Sequence, residues 1–266
     1  MKRIGIEGFA QWAVREEFPK LRAAERAAQS AGYSGWSPFW AALVSQGMVT
    51  SGGGYLSGAV EVPHPDAVSF AAALAELKTR ERTRPYDIPG LLADMPAVFA
   101  DAPGERIVSP VLYSPLLVEA LPLSAAALVE AHAASRTTPD WYPEGCAKDF
   151  VRGDGGAGSP AWFVEAKRRV RTVDVETGRA VMVTRTFEEP GLDVRTRRPR
   201  PGAYRKVRFE PEPALVARAR HAYAVWWCGL EFLAAWIRAE CALVAHDVAA
   251  PQGIEMPWKL AAKAVA

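Results

Sequence analysis

The chain has 266 residues, of which 50% are hydrophobic and 23% are charged, and its formal net charge is +2. This length supports a sizeable core in one large or two small domains, and the composition excludes a disordered chain. Three cysteines without a CxxC pair favour reduced thiols over a disulfide framework.

The first elements of the chain are predicted to be helices. Apolar residues at helical spacing indicate a helix over residues 6–18, and Pro19 stands at the first position of a second helix that runs to about Ser30. Charged side chains such as Glu7 and Arg15 interrupt the apolar stretch that an export signal needs. We therefore expect a cytoplasmic protein, located in the host cytoplasm if it is viral.

A third helix and a glycine-tipped hairpin are predicted next. Ser37 and Pro38 form an N-cap and first-position pair for a helix that ends at Gly47, and strands over 48–50 and 55–62 flank three glycines. The stretch ERAAQSAGYSGWSPFWAALVSQGMVTSGGGYLSG resembles the winged helix-turn-helix family over about residues 7–62. The resemblance implies that the Ser37 helix enters the DNA major groove while the hairpin, the wing, lies against the backbone.

The same helix departs from the family pattern. It presents Pro38, Phe39, Trp40, Ala41 and Ala42, none of which can hydrogen-bond base edges. A helical packing unit and a winged helix used for protein contacts therefore remain open alternatives.

Residues 63–150 are predicted to form a proline-punctuated helical region. A helix begins near Asp66, carries Leu74 and Leu77 on its apolar side, and ends among basic residues that complement its dipole. Two short helices follow, Leu116–Leu121 after Ser114 and Ala125–Ala134 after the capping residue Ser124.

The segment Trp162–Phe209 is strongly basic. It holds thirteen of the 32 Lys and Arg residues against six acids, a local balance of +7 that leaves the remainder near −5. β-Branched residues on either side of residues 176–179 predict a hairpin, and pairing Val175 with Ala180 would set Arg171 opposite Thr184. Basic residues then share one face, and we expect the other face to be buried: Val164, Val170, Thr172, Val181, Val183 and Phe187.

This basic hairpin and the loop that follows it are the predicted nucleic-acid-binding site. Arginines with interspersed aromatic residues (here Trp162, Tyr204 and Phe209) can neutralise phosphates and stack on bases. An acidic protein partner and a merely solvated sheet edge are the alternatives. The predicted contact residues are Lys167, Arg169, Arg171, Arg195, Arg197, Arg198, Arg200, Arg205, Lys206 and Arg208.

A long apolar helix is predicted from about residue 212 to His246. Its stripe of Leu215, Trp226, Leu230, Ile237 and Val244 indicates either the central core element or the contact surface of a homo-oligomer. Glu231 interrupts its most apolar run, which is shorter than the roughly 20 residues that a membrane span needs. We expect no membrane association.

Sequence motifs predict no catalytic, cofactor-binding or metal-binding residues. Residues 153–158 match GxGxxG, but Pro160 and a strand-like run follow instead of a helix, so we interpret them as a linker. His221, Cys228, Cys241 and His246 are spaced too widely on one helix to close a zinc site. Asp66 is only a sequence neighbour of His64, which is a weak reason to infer a catalytic pair.

The sequence thus predicts an α+β protein with a winged-helix-like unit (1–62), a helical middle (63–150), a basic β-hairpin (151–210) and a long core helix (211–266). The favoured function is a non-enzymatic nucleic-acid-binding accessory or regulatory protein, and a bacteriophage or GC-rich bacterial genome would explain 24 Arg, 8 Lys and no Asn. A structural or adaptor protein that makes protein contacts is the alternative. An enzyme without a recognisable motif is the third.

Overall fold

A computed structural model describes residues 1–30, 63–80, 88–95, 102–107, 123–152, 159–173 and 178–260. The predicted Ser37 helix, the glycine wing and the helix Leu116–Leu121 lie outside these residues. The chain divides into two compact units, each discontinuous in sequence. Unit 1 comprises Met1–Leu91, Val118–Tyr142 and Ala217–Ala266, and unit 2 comprises Leu92–Leu117 and Pro143–Val216.

Helices and strands are mixed, as the predicted α+β class requires. The helices are α1 (Ile6–Trp12), α2 (Phe18–Ser30), α3 (Pro65–Arg80), α4 (Ile88–Leu91), α5 (Ala125–Ser135) and α6 (Pro213–Glu240), with a π-helical segment at Ala13–Glu17. The strands are β1 (Lys2–Gly5), β2 (Glu105–Ile107), β3 (Ala147–Phe150), β4 (Trp162–Val173), β5 (Ala180–Pro190), β6 (Tyr204–Glu210) and β7 (His246–Ala249). None of the helices in the described ranges is long and apolar enough to cross a bilayer.

Two predicted helix starts are confirmed. Helix α3 begins at Pro65, with Asp66 in its first turn. Helix α5 begins directly after Ser124, whose hydroxyl oxygen accepts a hydrogen bond of 3.1 Å from the Ala127 N–H. The Ser124 cap is a local signal, because an N-cap needs only side chains within one turn of the helix end.

The prediction of two separate helices over residues 6–30 was wrong. Helix α1 continues without a break through the π-helical segment Ala13–Glu17 into α2. Pro19 is the second residue of α2. Proline has no backbone N–H to donate, and the i→i+5 hydrogen bonds of the preceding π-helical segment accommodate this loss without ending the helix.

Helix α6 was predicted to reach His246 but ends at Glu240, and His246 lies in strand β7. The chain leaves the helix because β7 pairs in parallel with β1, setting His246 opposite Lys2, while Asp66 binds the backbone N–H groups of residues 244–246. Cys241 and Val244 therefore lie outside the helix on which they were placed.

Unit 1 is built around the C-terminal part of α6. The predicted stripe residues Trp226, Leu230, Leu233 and Ile237 are buried against side chains from α1, α3 and α5. Nearer its start the stripe fails, since Leu215 is exposed and the wholly buried positions are Val216, Ala217 and Arg220. Burial in this core accounts for much of the apolar surface of α6. The predicted homo-oligomer contact through α6 stays a prediction.

Unit 2 contains a five-stranded sheet in the order β2–β6–β4–β5, with β3 also paired to β6. Strands β4 and β5 are antiparallel, and Val173 faces Ala180 while Arg171 faces Met182. The predicted register was wrong by two residues. Because side chains alternate with a period of two, a slip of two keeps each residue on its predicted face.

The predicted burial of one hairpin face was also wrong. Strand β6 pairs with β4 only at Trp162 and Phe163, so the remaining pairs of β4 and β5 have no third strand among the described residues. Val183 and Phe187 are each 40% exposed as a result. The paired strands therefore project from the sheet as a two-stranded ribbon of about 30 Å, at about 3.3 Å per residue.

Gly191 anchors the base of this ribbon, and we expect Gly191→Ala to destabilise unit 2 by about 1–3 kcal/mol. A Cβ atom at this position would lie 2.7 Å from the backbone carbonyl carbon and oxygen of Phe163, which cannot move aside without breaking the sheet. Urea unfolding measures the loss. Gly8→Ala is the control, because the nearest atom to its added Cβ is 3.4 Å away and alanine favours the helix; equal stability of the two variants would contradict the prediction.

Candidate functional site

The acidic residues at the base of the ribbon are all engaged by cations. Glu165 pairs with Arg106, Glu188 with Lys206, and Glu189 with Arg168. The Tyr204 hydroxyl also donates to Glu188 at 2.7 Å. Hydrogen bonds from Lys206 and Tyr204 hold the pKa of Glu188 below its ordinary value, so it stays ionised and committed to these partners.

Farther along the ribbon the basic residues are not neutralised in this way. Lys167, Arg169 and Arg171 alternate along β4, are exposed, and lie on one face opposite Thr186, Thr184 and Met182. No ion pair to these three is formed by any residue that the structure describes. The sequence also holds Asp174 and Glu176 beyond the end of β4, outside the described residues.

The opposite face of the ribbon carries a like-charge pair. Arg168 and Arg185 stand directly across from each other in β4 and β5, and only Arg168 has a carboxylate partner within the described ranges, Glu189. Like charges in this position destabilise a β-ribbon unless an anion lies close by. Both faces of the ribbon therefore carry exposed basic side chains.

The loop after β5 adds four exposed arginines, Arg195, Arg197, Arg198 and Arg200. It is fixed at the ribbon base because the Gly191 N–H donates to Trp162 O at 2.7 Å and the Arg200 N–H donates to Gly191 O at 2.8 Å. The Asp193 carboxylate accepts the backbone N–H groups of Thr196 and Arg195, which lowers its pKa and leaves the arginine side chains directed outward. None of these four side chains is ion-paired within the part of the chain that the structure describes.

The last three predicted contact residues serve the sheet instead. Arg205 stacks on Trp162, with its guanidinium carbon 4.5 Å from the ring centroid. Lys206 pairs with Glu188 and lies over Phe163, and Arg208 binds Asp149 through Nε and Nη2 at 2.9 and 2.6 Å. A partner would therefore have to compete with contacts that these three side chains already make within unit 2.

The aromatic residues predicted to stack on bases are covered. Tyr204 and Phe209 are buried, and Trp162 lies half-buried beneath Arg205. These three rings therefore have contacts within unit 2 that account for their position among the arginines.

Unit 1 contains a group of potential metal-ligand side chains that sequence analysis did not bring together. His64, Asp66 and His246 each offer one metal-ligand atom, and these atoms all lie within 4.8 Å of one another. Asp66 is 1% exposed, and its carboxylate accepts the backbone N–H groups of Val244, Ala245 and His246 together with the His246 Nδ1–H at 2.8 Å. We call this group the His–Asp–His cluster.

The electrostatics of the cluster are dominated by Asp66. Burial by itself would raise the pKa of this carboxyl, but the hydrogen bonds from Val244, His246 and Ala245 outweigh burial and hold its pKa below the ordinary value. Asp66 is therefore ionised at neutral pH, and an ionised carboxylate can only accept hydrogen bonds.

Asp66 also fixes the two histidines in opposite tautomers. Its backbone N–H donates to His64 Nδ1 at 3.1 Å, so a neutral His64 carries its proton on Nε2. Its carboxylate accepts from His246 Nδ1, so a neutral His246 carries its lone pair on Nε2.

Trp12 and Glu17 hold the cluster from the side of the π-helical segment. The Trp12 ring centroid lies 4.7 Å from that of His246 and 5.3 Å from that of His64. Glu17 accepts the His64 backbone N–H at 2.8 Å and also binds Lys20. π-Helical turns occur frequently at functional sites, and this one places both of its ends against the same histidine.

The sequence carries little signal for the cluster. His64 and Asp66 are separated from His246 by about 180 residues, and the hydrogen bonds of Asp66 to residues 244–246 join these distant segments. No protein-family model, curated protein or solved structure matches this chain.

Proposed function

We propose that this protein binds duplex nucleic acid, with the β4–β5 ribbon of unit 2 laid along a groove and its basic side chains on phosphates. The observation that carries the proposal is the row of Lys167, Arg169 and Arg171 on an exposed face, without a carboxylate partner among the described residues. Cations in such a row release condensed counterions when they meet a phosphate backbone.

The shape of the ribbon favours a duplex over a single strand. A two-stranded ribbon fits the B-DNA major groove, which is about 12 Å wide, whereas the major groove of A-form RNA is too narrow to be read. Binding to single strands depends on accessible aromatic rings, and Trp162, Tyr204 and Phe209 are covered. The proposal therefore rests on seven of the ten predicted contact residues, excluding Arg205, Lys206 and Arg208.

A triple charge reversal, Lys167→Glu with Arg169→Glu and Arg171→Glu, tests the proposal. We expect the wild-type protein to bind labelled duplex DNA with an affinity that falls steeply with salt, and the variant to lose about three units of the log–log salt slope, near 0.9 per lost phosphate contact. Fluorescence anisotropy over 50 to 300 mM salt, with duplex DNA, duplex RNA and single-stranded DNA in parallel, measures this change.

The matched control changes the net charge equally at another place. Arg22→Glu with Arg218→Glu and Lys259→Glu reverses three exposed cations of unit 1 and should leave most of the binding intact. Equal losses in the two variants would mean that net charge alone attracts DNA. Absence of wild-type binding at low salt would overturn the proposal.

The adaptor function is the second candidate, and the exposed apolar side chains of the ribbon favour it. Val173, Val181, Met182, Val183 and Phe187 are between 37% and 62% exposed. Exposed apolar residues on a strand edge are a common protein-docking surface. Light scattering at several concentrations distinguishes the candidates, since a stable oligomer that dissociates on Val183→Lys supports assembly and a monomer that binds DNA supports the first function.

A further inference from the structure

We infer that the His–Asp–His cluster of unit 1 binds a divalent first-row transition metal ion, of which Zn²⁺ is the reference case. Two imidazoles and one carboxylate are ligands that such ions accept, and three protein ligands leave a coordination position for water. This site is separate from the nucleic-acid function proposed for unit 2.

The three candidate ligand atoms lie within 4.8 Å of one another, so modest side-chain rotations could bring them onto one ion. His246 Nδ1 and His64 Nδ1 lie 2.8 and 4.0 Å from Asp66 Oδ2. Two ligand atoms on one ion with bonds of about 2.1 Å stand about 3.0–3.4 Å apart, a spacing that lies between these two values. Side-chain rotation would have to move the His246 nitrogen outward by about 0.2–0.6 Å and the His64 nitrogen inward by about 0.6–1.0 Å to reach this spacing.

The surroundings of the cluster supply what a metal site needs beyond its ligands. Backbone N–H groups of residues 244–246 orient the Asp66 carboxylate, and Glu17 fixes the backbone of His64. Such outer hydrogen bonds set the direction of ligand atoms. Trp12 and Phe9 form an apolar wall, since their ring centroids lie 4.7 and 5.3 Å from that of His246.

Proton balance is simple at this site. Ligation through His246 Nδ1 displaces the proton that Nδ1 donates to Asp66 Oδ2. The ring carries its proton on Nε2 instead, so the imidazole changes tautomer and stays neutral. His64 Nδ1 already carries a lone pair, and it exchanges a hydrogen bond from the Asp66 N–H for the metal. The His64 side chain is 34% exposed, which gives an ion a route from solvent.

Titration of chelator-treated protein with Zn²⁺ and with Co²⁺ tests the inference. We expect the full chain to bind one equivalent, and His64→Gln and His246→Gln each to lower the affinity at least tenfold. His132→Gln is the control, because His132 binds Thr137 and lies outside the cluster, and it should leave binding unchanged. Circular dichroism establishes that each variant is folded.

A second measurement needs no substitution. One equivalent of Co²⁺ added to the wild-type protein should broaden or shift the imidazole resonances of His64 and His246 and the indole resonance of Trp12, before those of His132 and His221. Failure of the wild-type protein to bind either ion stoichiometrically would overturn the inference. So would binding that both cluster variants retain, or Co²⁺ effects centred on other residues.

Discussion

Replacing Arg220 with methionine should lower the free energy of unfolding by about 3–5 kcal/mol, although methionine is the more apolar residue. Arg220 is 0% exposed, and its guanidinium donates to the backbone oxygens of Leu91, Trp141 and Tyr142 at 2.8–3.2 Å. Methionine removes every donor, and each buried carbonyl left without one costs about 1–3 kcal/mol. Urea unfolding followed by tryptophan fluorescence measures the loss.

Arg218→Met is the matched control, since Arg218 is an exposed arginine half a turn away on the same helix. We expect a change within about 0.5 kcal/mol for this variant. Arg220→Lys should fall between the two, because a lysine keeps the charge but cannot reach three carbonyls in the plane of a guanidinium. A methionine variant as stable as the wild type would show that solvent or other donors satisfy these carbonyls.

Asp66→Asn should cost about 3 kcal/mol or more, despite almost unchanged volume. An asparagine keeps one acceptor oxygen, and its NH₂ group must then face backbone N–H donors from residues 244–246. Removing the charge also weakens the bond to His246. Thermal and urea unfolding of this variant and of Asp247→Asn, an exposed aspartate beside His246, provide the comparison.

The same substitution has a signature in the pH dependence of stability. The pKa of Asp66 is lower in the folded protein than in the unfolded chain. Its contribution is therefore complete above the unfolded value of about 3.9 and is lost as the pH falls through the lower folded value. Stability of the wild type should decrease in this acid range more steeply than that of Asp66→Asn, and parallel curves would contradict the assignment.

Sequence patterns predicted those elements whose cause is local. Ser124 caps α5 through an atom three residues away, and Asp66 falls in the first turn of α3. From Trp226 onward, α6 buries the residues that helical spacing indicated. In each case the interacting groups are close in sequence or are read directly from periodicity.

The buried polar residues could not be predicted, because their partners lie far away in the chain. Arg220 meets backbone oxygens 78 to 129 residues away, and His246 meets Asp66 from a distance of 180 residues. Residue type alone argues against burial of an arginine or an aspartate. Only the fold supplies the carbonyl and amide groups that make their burial favourable.

Sequence analysis predicted which basic residues cluster in the ribbon and the loop after it, but only part of their geometry. Side-chain alternation correctly placed Lys167, Arg169 and Arg171 on one face of the ribbon. The error of two residues in the predicted register did not matter, because a slip of two leaves each side chain on the same face. The number of strands beside the ribbon was not predictable, because pairing of β6 with Trp162 and Phe163 is non-local. For this reason the expected buried face is exposed on β5 and only half-buried on β4, while Tyr204 and Phe209 are buried.

Among the strands that the structure describes, β5 lies at the end of the five-stranded sheet and pairs only with β4, so no described strand pairs with the amide and carbonyl groups of its outer edge. Its run Val181–Met182–Val183–Thr184 would make that edge a template for aggregation of neighbouring molecules if repulsion were absent. Arg179 and Arg185 flank this run, at positions where a charge opposes pairing between molecules. We therefore expect substitution of these two arginines by neutral residues to promote precipitation, which reversal to glutamate avoids because it keeps a charge at each position.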